Sequence, residues 1–170
     1  VFVIASMGDD EILQIEHVIR ERMDSHDIIE TIIQLQKSYE PQFFAFEKGT
    51  ILNTLLPGIK VRQIEANTFI NYESFASSID KDARAATIKA RVKAHRVKFN
   101  KEADWWPAFE EELLKFPLGH DDQVDAFAIL GNLLNKVARA ETPEELDEQE
   151  YEDLKRTGFF NELGKNKYTG

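Results

Sequence analysis

The hydrophobic pattern opens with Val1-Phe2-Val3-Ile4-Ala5, a β-branched and aromatic run that predicts a strand, and Met7-Gly8-Asp9-Asp10 follows as a turn. From Leu13 apolar and polar residues alternate. Leu13, Ile15, His17 and Ile19 fall on one face and Gln14, Glu16, Val18 and Arg20 on the other, so the two runs predict a hairpin with one face partly wet. The period then changes. Asp24-Ser25 is an N-cap signal, and Ile28, Ile29, Ile32, Ile33, Leu35 and Tyr39 give an amphipathic helix that ends before Pro41. Phe43-Phe44-Ala45-Phe46 is apolar without alternation, as expected of a strand buried on both faces in a parallel pairing, and Glu47 follows it at once. Lys48-Gly49-Thr50 opens a short helix, Ile51 to Leu56, which Pro57-Gly58 is expected to stop ahead of another strand, Lys60 to Ile64.

Asn67 to Asp80 is mixed and reads as a rim loop or hairpin. Between residues 81 and 101 a helix is expected whose Ala83, Ala86, Ala90 and Ala94 form a small packing face, with basic side chains outward. Val97-Lys98-Phe99 suits a short edge strand. Trp105, Trp106, Phe109, Leu113 and Phe116 then make a helical stripe with Pro107 in its first turn; the tryptophans read as packing groups and Glu110, Glu111 and Glu112 as a solvated face. Pro117 and Gly119 break that helix. Ala126, Phe127, Ile129, Leu130, Leu133, Leu134 and Val137 start another near His120 or Asp121. After Ala140 the chain turns acidic, and Tyr151, Leu154, Phe159, Phe160 and Leu163 fit either a docking peptide or a frayed end.

Composition narrows the picture. The 170 residues, 42% of them hydrophobic, suffice for one domain over residues 1–138, with 139–170 as an acidic C-terminal tail. No window approaches the ~18 apolar residues of a membrane span, and Val1 to Ala5 lacks the basic lead-in of a signal peptide, so a cytosolic protein without a membrane partner is expected. With Cys 0, any metal must be held by oxygen or imidazole, which points to magnesium, manganese or calcium. The formal net charge of -10 argues against indiscriminate nucleic-acid binding. A local basic surface runs against it: Lys81, Arg84, Lys89, Arg91, Lys93, Arg96, Lys98 and Lys101 face Asp82 alone, which suits phosphate contact or a solvated helix face.

The candidate chemistry concentrates in Gly119-His120-Asp121-Asp122-Gln123-Val124-Asp125-Ala126. Residues three and four apart share a helix face, so Asp125 can join Asp121 and Asp122 in one turn. Two readings stand: a metal site, or an N-cap with solvated first-turn acids. Glu47, at the carboxyl end of a strand where open α/β sheets place ligands, is either part of the site or a strand-end acid that caps the next helix or pairs with Lys48. Asp9 and Asp10 are turn residues. No Gly-rich phosphate loop and no serine triad is present. Glu47 and Asp122, 75 positions apart, could share one hard cation if the sheet brought them together.

In its order of elements, its Phe43 to Glu47 strand, its basic Lys81 to Arg96 helix and its His120-Asp121-Asp122-Gln123-Val124-Asp125-Ala126 motif, the chain resembles the nuclease domain of tailed-phage terminase large subunits. The resemblance spans about residues 1 to 138. It implies an α/β, ribonuclease H-like mixed sheet flanked by helices, and a metal-dependent endonuclease that cuts concatemeric viral DNA during packaging. By that resemblance Glu47 matches the second active-site acid and Asp122, with Asp121 beside it, the third; Asp125 belongs to the motif and serves metal or fold. The implied cofactors are Mg2+ or Mn2+, two ions in the complete domain. The implied partners are double-stranded DNA, the terminase small subunit, the portal protein and the enzyme's own ATPase domain, in the cytoplasm of the bacterial host at the procapsid portal. The family's first metal-binding Asp precedes the strand that begins here at Val1, so the expectation is a fold lacking its first strand and a fragment that cleaves poorly. Two alternatives stay open: another ribonuclease H-like nuclease of resolvase or integrase type, and a non-catalytic packaging or assembly module.

Overall fold

A computed structural model describes residues 1–76 and 81–138 of the chain, and the acidic tail expected over 139–170 lies outside the described residues. In chain order the elements are β1 (Phe2–Met7), β2 (Leu13–Ile19), α1 (Ser25–Tyr39), β3 (Phe44–Lys48), α2 (Thr50–Ala66), β4 (Tyr72–Ala76), α3 (Lys81–Lys93), β5 (Val97–Phe99), α4 (Trp106–Lys115) and α5 (Asp122–Ala138). Residues Val1–Asn135 make one compact unit. The architecture is mixed α/β, with strands in two small sheets: β1-β2-β5, antiparallel then parallel, and the parallel pair β3-β4. Among the described residues no helix is long and apolar enough to cross a membrane.

The hairpin forms as its pattern predicts, but the pairing shifts between Ile4 and Ala5: Ile4 faces His17 while Ala5 faces Ile15. Glu16 is therefore an extra residue, a β-bulge. Its effect corrects the expected faces. Leu13 and Ile15 are buried, but beyond the bulge it is Val18 that enters the core while His17 stays exposed. A period-2 strand that slips by one residue exchanges its faces.

Asp24 caps α1 by accepting from the Asp27 N–H at 2.9 Å, and the helix ends at Glu40 in a left-handed conformation just before Pro41. The stretch after β3 departs from expectation. Pro57-Gly58 does not end a helix, and no strand forms at Lys60 to Ile64; α2 runs unbroken to Ala66, and the strand parallel to β3 is β4, inside the segment expected to be a rim loop or hairpin. Proline removes one helical donor. The helix persists because Leu52, Leu55 and Ile59 keep one face buried across the break. Gly58 also has a packing reason, since a Cβ there would stand 2.5 Å from Ile29 Cδ1 of α1. β3 pairs in parallel as expected but is only half-buried at Phe44, Ala45 and Phe46, because β4 flanks it on one side alone.

Two apolar clusters hold the unit together. Leu13, Ile15 and Val18 of the hairpin pack with Ile88 of α3, Trp106 and Phe109 of α4, and Phe127 and Leu134 of α5. Phe99, Phe109 and Phe127 meet edge to face or tilted, with centroids 5.6 to 6.0 Å apart, and Trp106 joins Phe99 at 5.0 Å, which is the packing role expected of the tryptophan. Ile32, Leu55 and Ile59 form the second cluster, covered by Phe2, Phe44 and Phe46. α3 turns a different face inward than its alanine spacing predicts: Ala85 and Ile88 are buried, whereas Ala86, Ala90 and Ala94 are exposed. Gly131 of α5 sets that face, because its missing side chain lets Ile88 come close; a Cβ at Gly131 would stand 3.3 Å from the Ile88 backbone nitrogen. Thr87 Oγ1 accepts from Asn135 at 2.9 Å along the same seam.

Candidate functional site

The head of α5 is built by α4. Glu112 is 6% exposed and Gln123 1% exposed. The Glu112 carboxylate accepts from the Gln123 backbone N–H at 2.6 Å, from Gln123 Nε2 at 2.7 Å and from the Val124 N–H at 3.4 Å, with Arg20 Nη2 3.9 Å away. The carbonyl of Asp121 accepts from the Asp125 N–H at 2.7 Å, which makes Asp121 the N-cap residue by backbone. The second and third helical N–H groups, which a capping Asp side chain would ordinarily serve, are thus taken by Glu112. A buried carboxylate beside the positive end of the helix dipole also offsets that charge.

This corrects the expectation of a solvated Glu110 to Glu112 face. Glu111 is exposed and pairs with Lys115 one turn on, whose hydrogen bond holds the Glu111 carboxyl below the usual carboxylate range. Glu112 instead lies on the Phe109, Leu113, Phe116 stripe, three residues from the first and four from the last. A carboxylate inside an apolar stripe was the signal that sequence reasoning passed over.

Around that cap Asp121 and Asp125 are half-buried and Asp122 is exposed. Glu47 is exposed at the carboxyl end of β3, in register with Phe75 of β4. Among the described residues, Glu47, Asp121, Asp122 and Asp125 do not make a group of three ligand atoms close enough to share an ion; the group that does is Asp24, His26 and Asp27 at the head of α1, all exposed, within 4.8 Å of one another. Asp24 there already serves as the helix cap.

Of the expected phosphate-binding residues, Lys81 and Arg84 lie on α3 with side chains outside the described ones. Arg96 donates to the Asp10 carbonyl at 2.8 Å and Arg91 to the Glu11 carbonyl at 3.4 Å, so both tie the end of α3 to the tip of the β1–β2 hairpin. Lys89 is exposed and lies 4.7 Å from the centroid of the Phe116 ring. Lys93 and Lys98 are exposed. His95 ends α3 at φ 55°. Among the described side chains of the basic segment, Arg91 and Arg96 therefore brace the hairpin while Lys93 and Lys98 face solvent.

No protein-family model matches the chain, and no curated protein matches it.

Proposed function

We propose that this chain is a ribonuclease H-like, metal-dependent endonuclease domain of a viral DNA-packaging terminase large subunit, cutting concatemeric double-stranded DNA. The observation that carries the reading is the Glu112 cap: by serving the Gln123 and Val124 N–H groups from α4 it fixes the head of α5, where Asp121, Asp122 and Asp125 stand within one turn. A ribonuclease H-like sheet would be completed by one strand lying between β1 and β3. Both are edge strands, and Phe2 of β1 and Phe44 of β3 cover the same apolar cluster, which supports that arrangement.

The donor set suits Mg2+ or Mn2+, being carboxylate oxygen with no thiolate in the chain. Glu47 and Asp122 would hold the cation, with Asp121 beside them and Asp125 in reserve. Such an ion, or two in the complete domain, supplies an activated water and charge neutralisation at a phosphodiester. The chain's own contribution is placement: Lys89, Lys93 and Lys98, with Lys81 and Arg84, engage the DNA backbone without reading sequence. On this reading the partners are DNA, the terminase small subunit, the portal protein and an ATPase domain, and the site of action is the host cytoplasm at the procapsid portal.

The test is manganese binding by calorimetry in a His26→Ala background, which silences the exposed cluster at α1. Adding Glu47→Ala and Asp122→Ala should weaken Mn2+ binding by at least about tenfold with the thermal midpoint unchanged. Equal binding with and without the two acids overturns the reading. One observation favours a second reading, a non-catalytic assembly module: the four acids do not form a three-ligand group. That module predicts DNA affinity and biological activity unaffected by the same double substitution.

A further inference from the structure

We infer that the groove between α1 and α2 docks a basic, amphipathic helical segment of a partner protein. α2 is apolar on two faces. Leu52, Leu55 and Ile59 face the core, while Pro57, Val61 and Ile64 recur at the i, i+4, i+7 spacing of an opposite face that stays exposed, Val61 at 57% and Ile64 at 72%. A surface helix with nothing to bind carries polar residues on its outward stripe, and grouped exposed apolar residues mark interaction sites. Beside this stripe lies an open groove of about 760 Å³ with Ile29, Pro57, Gly58 and Val61 among its lining. Within that lining α1 and α2 meet closely, since a Cβ on Gly58 would stand 2.5 Å from Ile29 Cδ1.

The charges on the rim select the occupant. Glu30 and Glu65 line the groove with Arg62, which is shared between them by two arms to Glu30 and a 3.7 Å contact to Glu65. His26 lines it too, and the Asp24 and Asp27 carboxylates lie within 4.8 Å of its ring nitrogen. Two lining carboxylates thus stand against one lining guanidinium, with Asp24 and Asp27 beside His26 adding to the acid and Lys37 near Glu30 offsetting part of it. Nucleic acid is repelled by such a rim, and a second copy of this chain would bring the same excess of acid against itself. A helix with Lys or Arg beside an apolar stripe satisfies both the floor and the rim. This inference is independent of the nuclease reading, since the groove contains none of its residues.

The experiment uses the full chain and a labelled synthetic helical peptide of leucine and lysine at amphipathic spacing, with a leucine–glutamate peptide as the control. The lysine peptide should bind with amide-resonance shifts centred on Ile29, Val61 and Glu65, weaken between about 0.05 and 0.5 M salt, and exceed the glutamate peptide by at least about tenfold. Val61→Asp is the deciding variant. It makes an acidic protein more acidic, so attraction by overall charge would hold or strengthen, whereas groove docking should weaken by about tenfold or more. Glu65→Lys should weaken it likewise. Binding unaffected by Val61→Asp, shifts elsewhere on the molecule, equal binding of the two peptides or no binding overturns the proposal. So does a dimer in sedimentation that Val61→Asp dissolves, which would assign the face to a second copy.

Discussion

The carboxylate of Glu112 grips Gln123 twice, at its backbone N–H and at its side-chain amide, and so fixes where α5 begins. The pair is buried, so removing the acceptor strands the Gln123 and Val124 N–H groups where water reaches poorly, and leaves Gln123 Nε2 only its bond to the Ala108 carbonyl. Glu112→Ala should destabilise the fold by about 2–3 kcal/mol in urea titration, and Glu112→Gln, which keeps one acceptor, by less. A stability unchanged by the alanine variant would mean that α5 is headed by another group.

Gly131 predicts an opposite sign from helix propensity. In an exposed helix a larger residue would stabilise; here the Ile88 backbone nitrogen stands 3.3 Å from where a Cβ would go. Gly131→Leu should lower the thermal midpoint, with a cost of about 1–3 kcal/mol from overpacking of α5 on α3. A midpoint at or above the wild-type value would contradict this close approach.

His95 offers a gain. Its N–H donates to the Val92 carbonyl at 3.0 Å and the Arg96 N–H to Arg91 at 2.9 Å, with His95 itself left-handed at φ 55°. That is a helix end suited to glycine. His95→Gly should stabilise by about 0.5–1 kcal/mol, read as a raised denaturation midpoint.

Glu30 gives a pH signature. The Arg62 hydrogen bond is the main reason its carboxyl lies below the usual carboxylate range, opposed by partial burial. A depressed folded-state value means the contribution is complete above the ordinary glutamate pKa of about 4.3 and is lost as the pH falls through the lower folded value. The stability difference between wild type and Glu30→Gln should therefore be constant above that point and shrink below it. A difference that grows on acidification would reverse the assignment.

Within the basic segment, Lys93 and Lys98 are expected to differ from Arg91 and Arg96. On the proposed nuclease reading, neutralising the two lysines should weaken DNA binding across all sequences and reduce the salt slope by about 0.9 for each phosphate left without its lysine, with folding unchanged. Neutralising Arg96 should in addition loosen the hairpin tip, visible as faster amide exchange around Asp10 and Glu11, because its bond to the Asp10 carbonyl goes with it.

Much of the fold was legible because local signals agree with tertiary packing. The hairpin, the Asp24 cap, the stop before Pro41, the parallel pairing of Phe44–Lys48 and the aromatic stripe of α4 all follow from period and punctuation. The misreadings occurred where a local rule met a tertiary reason. Pro57-Gly58 looks like a helix stop, yet Leu55 and Ile59 on either side share a buried face and Gly58 meets Ile29. The alanines of α3 suggest a packing face, yet Gly131 draws Ile88 inward. At the site, the acids at the head of α5 were visible as letters, but their setting depended on Glu112, eleven residues before Gln123 and hidden in a run of three glutamates.

The bulge at Glu16 has a consequence for how this hairpin tolerates change in length. With Glu16 deleted, Leu13, Ile15 and Val18 would fall at alternate positions of an unkinked strand, so the same three side chains would still reach the interior. The residue is slack in the ladder: at this one point the chain can lose a link, giving up the hydrogen bonds of Ser6 and Gln14 to Glu16, without altering what the core receives.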